Sequence, residues 1–212
     1  MNKEYDLNNF GINLSISLIG DLKVLRCEAD LPTLFLFDEN HSNLDNCIYK
    51  NILNALELIE KGNIFRVGVE SLAGGKSWDS ENQEYNEYYF DKKFDDQFVK
   101  KYKSQVTTFA DELERKFKNL ISGVECWGMM ENITKDILAG KYSSAATHPF
   151  NIKRSQHFVR TMFERYNVNE GNLILNCGSN HNNHIEKWIE SGEIDNIAGL
   201  RANYIRINTI TV

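Results

Sequence analysis

The amino-acid sequence predicts an α/β fold: a largely parallel central sheet flanked by helices, with a long helical insertion after the second core strand. Three observations predict it. Short apolar runs bounded by polar residues recur along the chain, as buried strands of such sheets do, and segments of helical period separate them. Two of these runs are joined by a single helix, which makes a βαβ unit and sets their strands parallel. A stripe of apolar residues at helical spacing then fills the chain between the second run and the third.

Over residues 12–31, Ile12, Leu14, Ile16 and Leu18 alternate with polar residues, Gly20 and Asp21 punctuate, and Leu22, Val24 and Leu25 resume. That pattern favours a hairpin or edge strands, with a helix over 21–29 as the alternative. Pro32 separates this lead-in from the central strand, Leu34, Phe35, Leu36 and Phe37, which ends abruptly in Asp38, Glu39, Asn40 and His41. Ser42, Asn43, Leu44 and Asp45 have the form of a capping box, and Leu44, Ile48, Ile52, Leu56 and Ile59 recur at helical spacing. A helix is therefore expected from about residue 43 to 61, stopped by Gly62 and Asn63.

The second strand, residues 64–69, also ends in an acid, Glu70, and parallel pairing brings Glu70 to the same edge as Glu39 and His41. Residues 71–75 read as a loop and 76–93 as a polar, tyrosine-rich stretch. Phe94, Phe98, Tyr102, Val106, Phe109, Leu113, Phe117 and Leu120 then predict a long amphipathic helix. Residues 71–120 are thus expected as a cap or crossover within one domain spanning 1–212. The helix over 81–120 is also where a protein partner would dock, if its stripe were exposed.

A third strand is expected around 123–129, followed by a short helix, with Glu125 and Glu131 near the edge. Residues 143–149 form a loop in which Pro149 suits the first turn of the next helix. That helix buries Phe158, Val159, Met162, Phe163 and Tyr166 and carries Arg154 in its first turns. A cation there opposes the helix dipole, so Arg154 has either an anionic partner or a solvent-facing place. The fourth strand, 172–177, turns through Gly178, Ser179, Asn180 and His181 into a helix carrying Ile185, Trp188 and Ile189. The glycine suits a tight turn there, and the backbone N–H groups of the helix start suit an anion beside His181, with His184 one turn on. Residues 203–212 alternate cleanly and read as an edge strand.

The balance of the 212 residues, 42% hydrophobic and 25% charged, suits one substantial core. A net charge of -6 and a pI near 5.4 argue against a general nucleic-acid binder, which needs clustered Lys and Arg. No stretch approaches the roughly 20 apolar residues of a membrane span, and the N-terminus lacks the apolar core of a secretory signal. The expected location is the cytoplasm, or outside it by export without a recognisable N-terminal signal. Cys27, Cys47, Cys126 and Cys177 form no C-x-x-C pair, which argues against a structural zinc site and suits a reducing compartment.

The joint placement of the strand ends points to chemistry. Glu39 with His41, Glu70, and the Gly178 turn with His181 belong to three parallel strands and converge at one rim. Two acids and two imidazoles can take and give protons around a water. The same donor set can hold a divalent metal such as zinc, manganese or iron. No G-x-S-x-G elbow, P-loop or G-x-G-x-x-G is present, which lowers the case for a serine hydrolase, an NTPase or a dinucleotide enzyme.

Asp38-Glu39-Asn40-His41, a long helix, and a strand ending Val67-Gly68-Val69-Glu70 resemble the opening G-E-x-H and G-x-E motifs of the erythromycin-esterase/ChaN-like superfamily, which includes TraB and the Tiki proteases. Arg154 falls where that family has an arginine before its last motif, and Gly178-Ser179-Asn180-His181 matches its G-x-x-H. Asp38 stands where the family has glycine. The resemblance implies a pocket lined by Glu39, His41, Glu70, Arg154 and His181. The leading expectation is a metal-independent or metal-assisted hydrolase of an ester or amide, with His41 as general base, Glu39 and Glu70 as orienting carboxylates, His181 as proton donor or oxyanion stabiliser, and Arg154 as anchor for a small-molecule or peptide substrate. The alternatives within the resemblance are a non-catalytic metal- or haem-binding module and a bacterial effector or toxin module of the same fold.

Overall fold

A computed structural model describes residues 2–39, 44–73, 77–79, 84–86, 92–93, 107–117, 120–164, 166–167 and 170–210. The chain opens with β1 (Asn2–Asp6) and β2 (Ser15–Ile19), an antiparallel pair, followed by β3 (Asp21–Arg26) and β4 (Thr33–Glu39). Then come α1 (Leu44–Lys61), β5 (Ile64–Ala73), the short strands β6 (Ser77–Asp79), β7 (Glu84–Asn86) and β8 (Lys92–Lys93), and α2 (Thr107–Phe117). The C-terminal part runs through β9 (Ile121–Glu125), α3 (Trp127–Leu138), α4 (Phe150–Phe163), β10 (Asn172–Gly178), α5 (Ser179–Ser191), α6 (Ile194–Ala198) and β11 (Asn203–Asn208).

The main sheet has seven strands in the order β3-β11-β4-β10-β5, with β9 and β8 both beyond β5. Strands β11, β4, β10, β5 and β9 are mutually parallel, whereas β3 and β8 are antiparallel additions. This is the expected α/β architecture with a largely parallel sheet. Because both faces are covered, β4 is apolar on each. Phe35 and Phe37 face α1 and α2, packing with Ala55, Leu58, Phe109 and Leu113. Leu34 and Leu36 face α4, α5 and α6, packing with Phe158, Met162, Ile185 and Ile194. A strand buried on both sides reads as a continuous apolar run, and that run is what made β4 legible.

Several boundaries and one position differ from expectation. The last strand is interior, because β11 lies between β4 and β3. Its alternating Arg206 is half-buried and paired with Asp38 and Glu186, so a satisfied ion pair mimicked an exposed face. The third strand ends at Glu125, and the segment from Trp127 onward is helical. Strand β5 runs on to Ala73, where a loop was expected, since β8 and β9 pair with its extension. Of the long helix expected after residue 93, the described part is α2, with Phe109 and Leu113 fully buried. Residues 94–106 lie outside the described residues. Among the described residues no helix is long and apolar enough to cross a membrane.

Strand β5 fixes α4 against the sheet through three alternate residues. At one end Arg66 donates from Nη1 to the carbonyls of Thr161, Met162 and Glu164, the C-terminal end of α4 where a cation suits the helix dipole. At the other end Glu70 accepts from Arg154, near the helix start. Midway, a Cβ on Gly68 would lie 2.2 Å from Met162 Sδ and 2.8 Å from a Val124 methyl. Gly68→Ala is therefore expected to cost about 1–3 kcal/mol by overpacking, read as a lower urea midpoint with an unchanged slope.

Candidate functional site

Four parallel strand ends make the rim that carries the candidate site. Registers place Glu39 opposite Gly178 and Glu125 opposite Ala73, so β4, β10, β5 and β9 deliver Glu39, Gly178, Glu70 and Glu125 to one edge. Loops and helix starts beyond that edge enclose a hollow of about 210 Å³, lined by Glu39, Glu70, Arg154 and His181 together with Asn151, Gly178, Ser179, Asn180, Ala145 and Ala146. Four of the five residues expected at the site thus meet in one cavity. The fifth, His41, lies outside the described residues.

Helix α4 brings Asn151, Arg154, Ser155 and Phe158 to the rim on one face, at i, i+3, i+4 and i+7. Arg154, 4% exposed, has anionic partners, the first of its two expected places. Its Nε donates to Glu125 Oε1 at 3.0 Å, and Nη2 donates both to Glu125 Oε2 and to Glu70 Oε1, the latter at 2.9 Å. Burial works to lower the guanidinium's pKa, but Glu125 and then Glu70 outweigh it and leave the value raised. Burial pushes the Glu125 carboxyl up, against the opposite pull of Arg154. Glu125 also accepts from the backbone N–H of Cys126.

Glu70 joins the two halves of the site. Oε1 accepts from Arg154 and stands 3.4 Å from His181 Nε2, while Oε2 accepts from the Gly178 backbone N–H at 2.7 Å. The anion expected at the start of α5 is therefore the chain's own carboxylate. Gly178 itself has φ -56°, open to any residue, so no left-handed turn requires glycine there.

On β4, neighbouring acids part company because successive side chains point to opposite faces. Asp38 turns to the α5 side, where Arg206 Nε and Asn182 Nδ2 donate to it, so Asp38 is a buried structural anchor. Glu39 turns the other way and accepts from Asn176 Nδ2. Behind it the amides are fixed in order: Thr209 Oγ1 donates to Asn51 Oδ1 at 2.8 Å, and Asn51 Nδ2 donates to Asn176 Oδ1 at 3.0 Å.

Sequence reasoning missed Glu125 as the arginine's partner, along with Asn176, Asn51 and Ser155. Two signals were available: an asparagine inside the apolar strand Leu173, Ile174, Leu175, and an asparagine at the buried i+3 position from Ile48. Cys177, next to the site along β10, is no nucleophile. Burial pushes its thiol well up, and Glu70, Asp38 and Glu39 add to that.

The described residues do not fit a metal. Among them, no group of three His, Cys, Asp or Glu side chains is placed to hold one. The carboxylates such an ion would use are engaged by Arg154 and by the α5 backbone. A second, larger hollow of about 610 Å³ lies between β3 and α5, where Lys23, Glu186, Lys187 and Arg206 stand with mixed charge.

No protein-family model matches the chain, and comparison with curated proteins and with solved structures finds no match.

Proposed function

We propose that this chain hydrolyses an ester or amide in the rim hollow, and that it belongs to the erythromycin-esterase/ChaN-like superfamily its motif order resembles. The observation that supports this reading is the meeting of Glu39, Glu70, Arg154 and His181, from four separate segments, around one cavity at the C-terminal ends of parallel strands. His41, two residues beyond Glu39, takes a proton from water as general base. The water oxygen attacks the carbonyl carbon, and the oxyanion collapses to expel an alcohol or amine that His181 protonates from Nε2. Glu39 and Glu70 orient the imidazoles. Arg154 holds Glu70, and its Nη1, which carries no hydrogen bond among the described residues, is the group left to anchor a substrate oxygen.

The hollow is smaller than the roughly 300–1,000 Å³ of drug-sized ligand sites, so it takes the scissile group and its immediate neighbours rather than a whole large substrate. A protein partner through the 81–120 segment has less support, because α2 turns Phe109 and Leu113 into the core. A panel of chromogenic esters and anilides tests the proposal. Wild-type protein is expected to turn over at least one, and His41→Ala and His181→Gln to lower that rate by roughly 10²-fold or more with little change in unfolding midpoint. Undiminished hydrolysis in both variants refutes the assignment.

A further inference from the structure

Behind His181, away from the hollow, two imidazoles share one hydroxyl. Ser155 Oγ lies 2.7 Å from His181 Nδ1, 2.8 Å from His184 Nδ1 and 3.1 Å from the Asn151 carbonyl oxygen. Ser155 is fully buried, so it is not a nucleophile open to substrate, whereas His184 is half-buried. The rings stand nearly perpendicular, at 80°, with centroids 6.4 Å apart. Phe158 packs against His181 at 4.7 Å and Trp188 against His184 at 6.1 Å, which holds each imidazole in place.

Hydrogen bookkeeping selects one arrangement. A serine hydroxyl has one hydrogen and two lone pairs, and a neutral imidazole has one N–H. Both oxygens of Glu70 already accept hydrogen bonds, so a lone pair on His181 Nε2 would face an acceptor 3.4 Å away. Nε2 therefore carries the hydrogen, and the neutral ring must accept at Nδ1. Ser155 supplies that hydrogen, which leaves its lone pair for a hydrogen donated by His184 Nδ1. The longer approach to the Asn151 carbonyl is the one left unused.

We propose that His184, Ser155 and His181 form a proton relay between the surface and the hollow. The inference rests on the hydrolase reading for its purpose, but not for its geometry. In one passage water protonates His184 at Nε2, the Nδ1–H bond of the resulting imidazolium breaks and its proton joins Ser155 Oγ, while the hydroxyl hydrogen moves to His181 Nδ1. His181 then releases its Nε2 proton to the leaving oxygen or nitrogen. His184 is left neutral with its hydrogen on Nε2, and the chain resets when His181 Nε2 takes a proton from water in the hollow and the same transfers run in reverse. Burial, and then His181 and Lys187, hold the His184 imidazole below its ordinary pKa, so once protonated it is a ready donor. Ser155 and His184 act only through His181 and are positioning residues.

The test is nitrogen NMR of the full chain at alkaline pH, where tautomers are read directly from the ring ¹⁵N shifts. His181 is expected to show a pyridine-type Nδ1 with hydrogen on Nε2, and His184 a pyrrole-type Nδ1. Ser155→Ala is expected to abolish the His181 preference, and Ser155→Thr to restore it. Exchange of the His181 Nε2 hydrogen with water is expected to slow in His184→Gln. Hydrogen on His181 Nδ1 in the wild-type protein, or exchange indifferent to His184, overturns the relay. Neither reading depends on a substrate, so an inactive protein with these tautomers would sink the hydrolase proposal alone.

Discussion

Replacing Arg154 with methionine is expected to cost about 3–5 kcal/mol of folding stability, because it strands a charge that has no access to water. Glu125, 1% exposed, takes two hydrogen bonds from the guanidinium, and with it gone only the Cys126 N–H of its described donors remains. At about 2–4 °C per kcal/mol for a chain of this size, the loss reads as roughly 6–20 °C in unfolding midpoint. Two further variants separate charge from packing. Adding Glu125→Leu to Arg154→Met is expected to return much of the loss, since an apolar pair of similar volume often serves as well as a buried ion pair. Arg154→Lys is expected to fall between wild type and methionine, because a single ammonium cannot make the fork that spans both oxygens of Glu125 and reaches Glu70. An Arg154→Met protein as stable as wild type would mean that the buried cluster is not formed.

The largest expected effect on turnover belongs to Glu70→Gln. The substitution keeps size and shape but leaves one accepting oxygen where there were two. The carboxylate now takes Arg154 on one oxygen and the Gly178 N–H on the other, so the new amide NH₂ must point at one of those donors. That mismatch is expected to cost about 1–3 kcal/mol of stability. Turnover suffers more, because His181 loses the negative charge 3.4 Å from Nε2 that steadies the ring as it gains or passes a proton. A fall of roughly 10²- to 10⁴-fold in kcat is expected, measured well below the unfolding midpoint. The corresponding change on the opposite face of β4, Asp38→Asn, is expected to lower stability while sparing kcat, since Asp38 holds Arg206 and Asn182 and does not line the hollow.

Much of this architecture was legible because the sheet is buried on both sides. Continuous apolar runs marked β4, β5 and β10, and the polar residues that ended them marked the rim. Arg154 was half legible, as a cation in the first turns of a helix, where an anionic partner and a solvent-facing place were both open. The rest was hidden by interactions between distant segments. Arg206 reads as one polar step of an edge strand until Asp38 and Glu186 are seen to hold it, and Asp38 reads only as a departure from the glycine of the motif it resembles until Arg206 is seen. Glu125 was placed near the edge but not in the site, because nothing local ends β9: Cys126 and Trp127 are as apolar as the strand, and the change to a helix follows from packing. The Asn51, Asn176 and Ser155 contacts depend on pairings across 26 to 158 residues of chain, and composition and period carry no information about them.

In the proposed hydrolysis, Glu70 and His181 act as one unit in one cavity. A double-mutant cycle tests it most directly, with kcat/KM measured on the same substrate for wild type, Glu70→Gln, His181→Gln and the double variant. If the two side chains serve one proton-handling unit, the double variant is expected to be no slower than the worse single variant, because the second change removes a partner already disabled. Losses that multiply across the cycle would contradict the account, placing the two groups in independent roles.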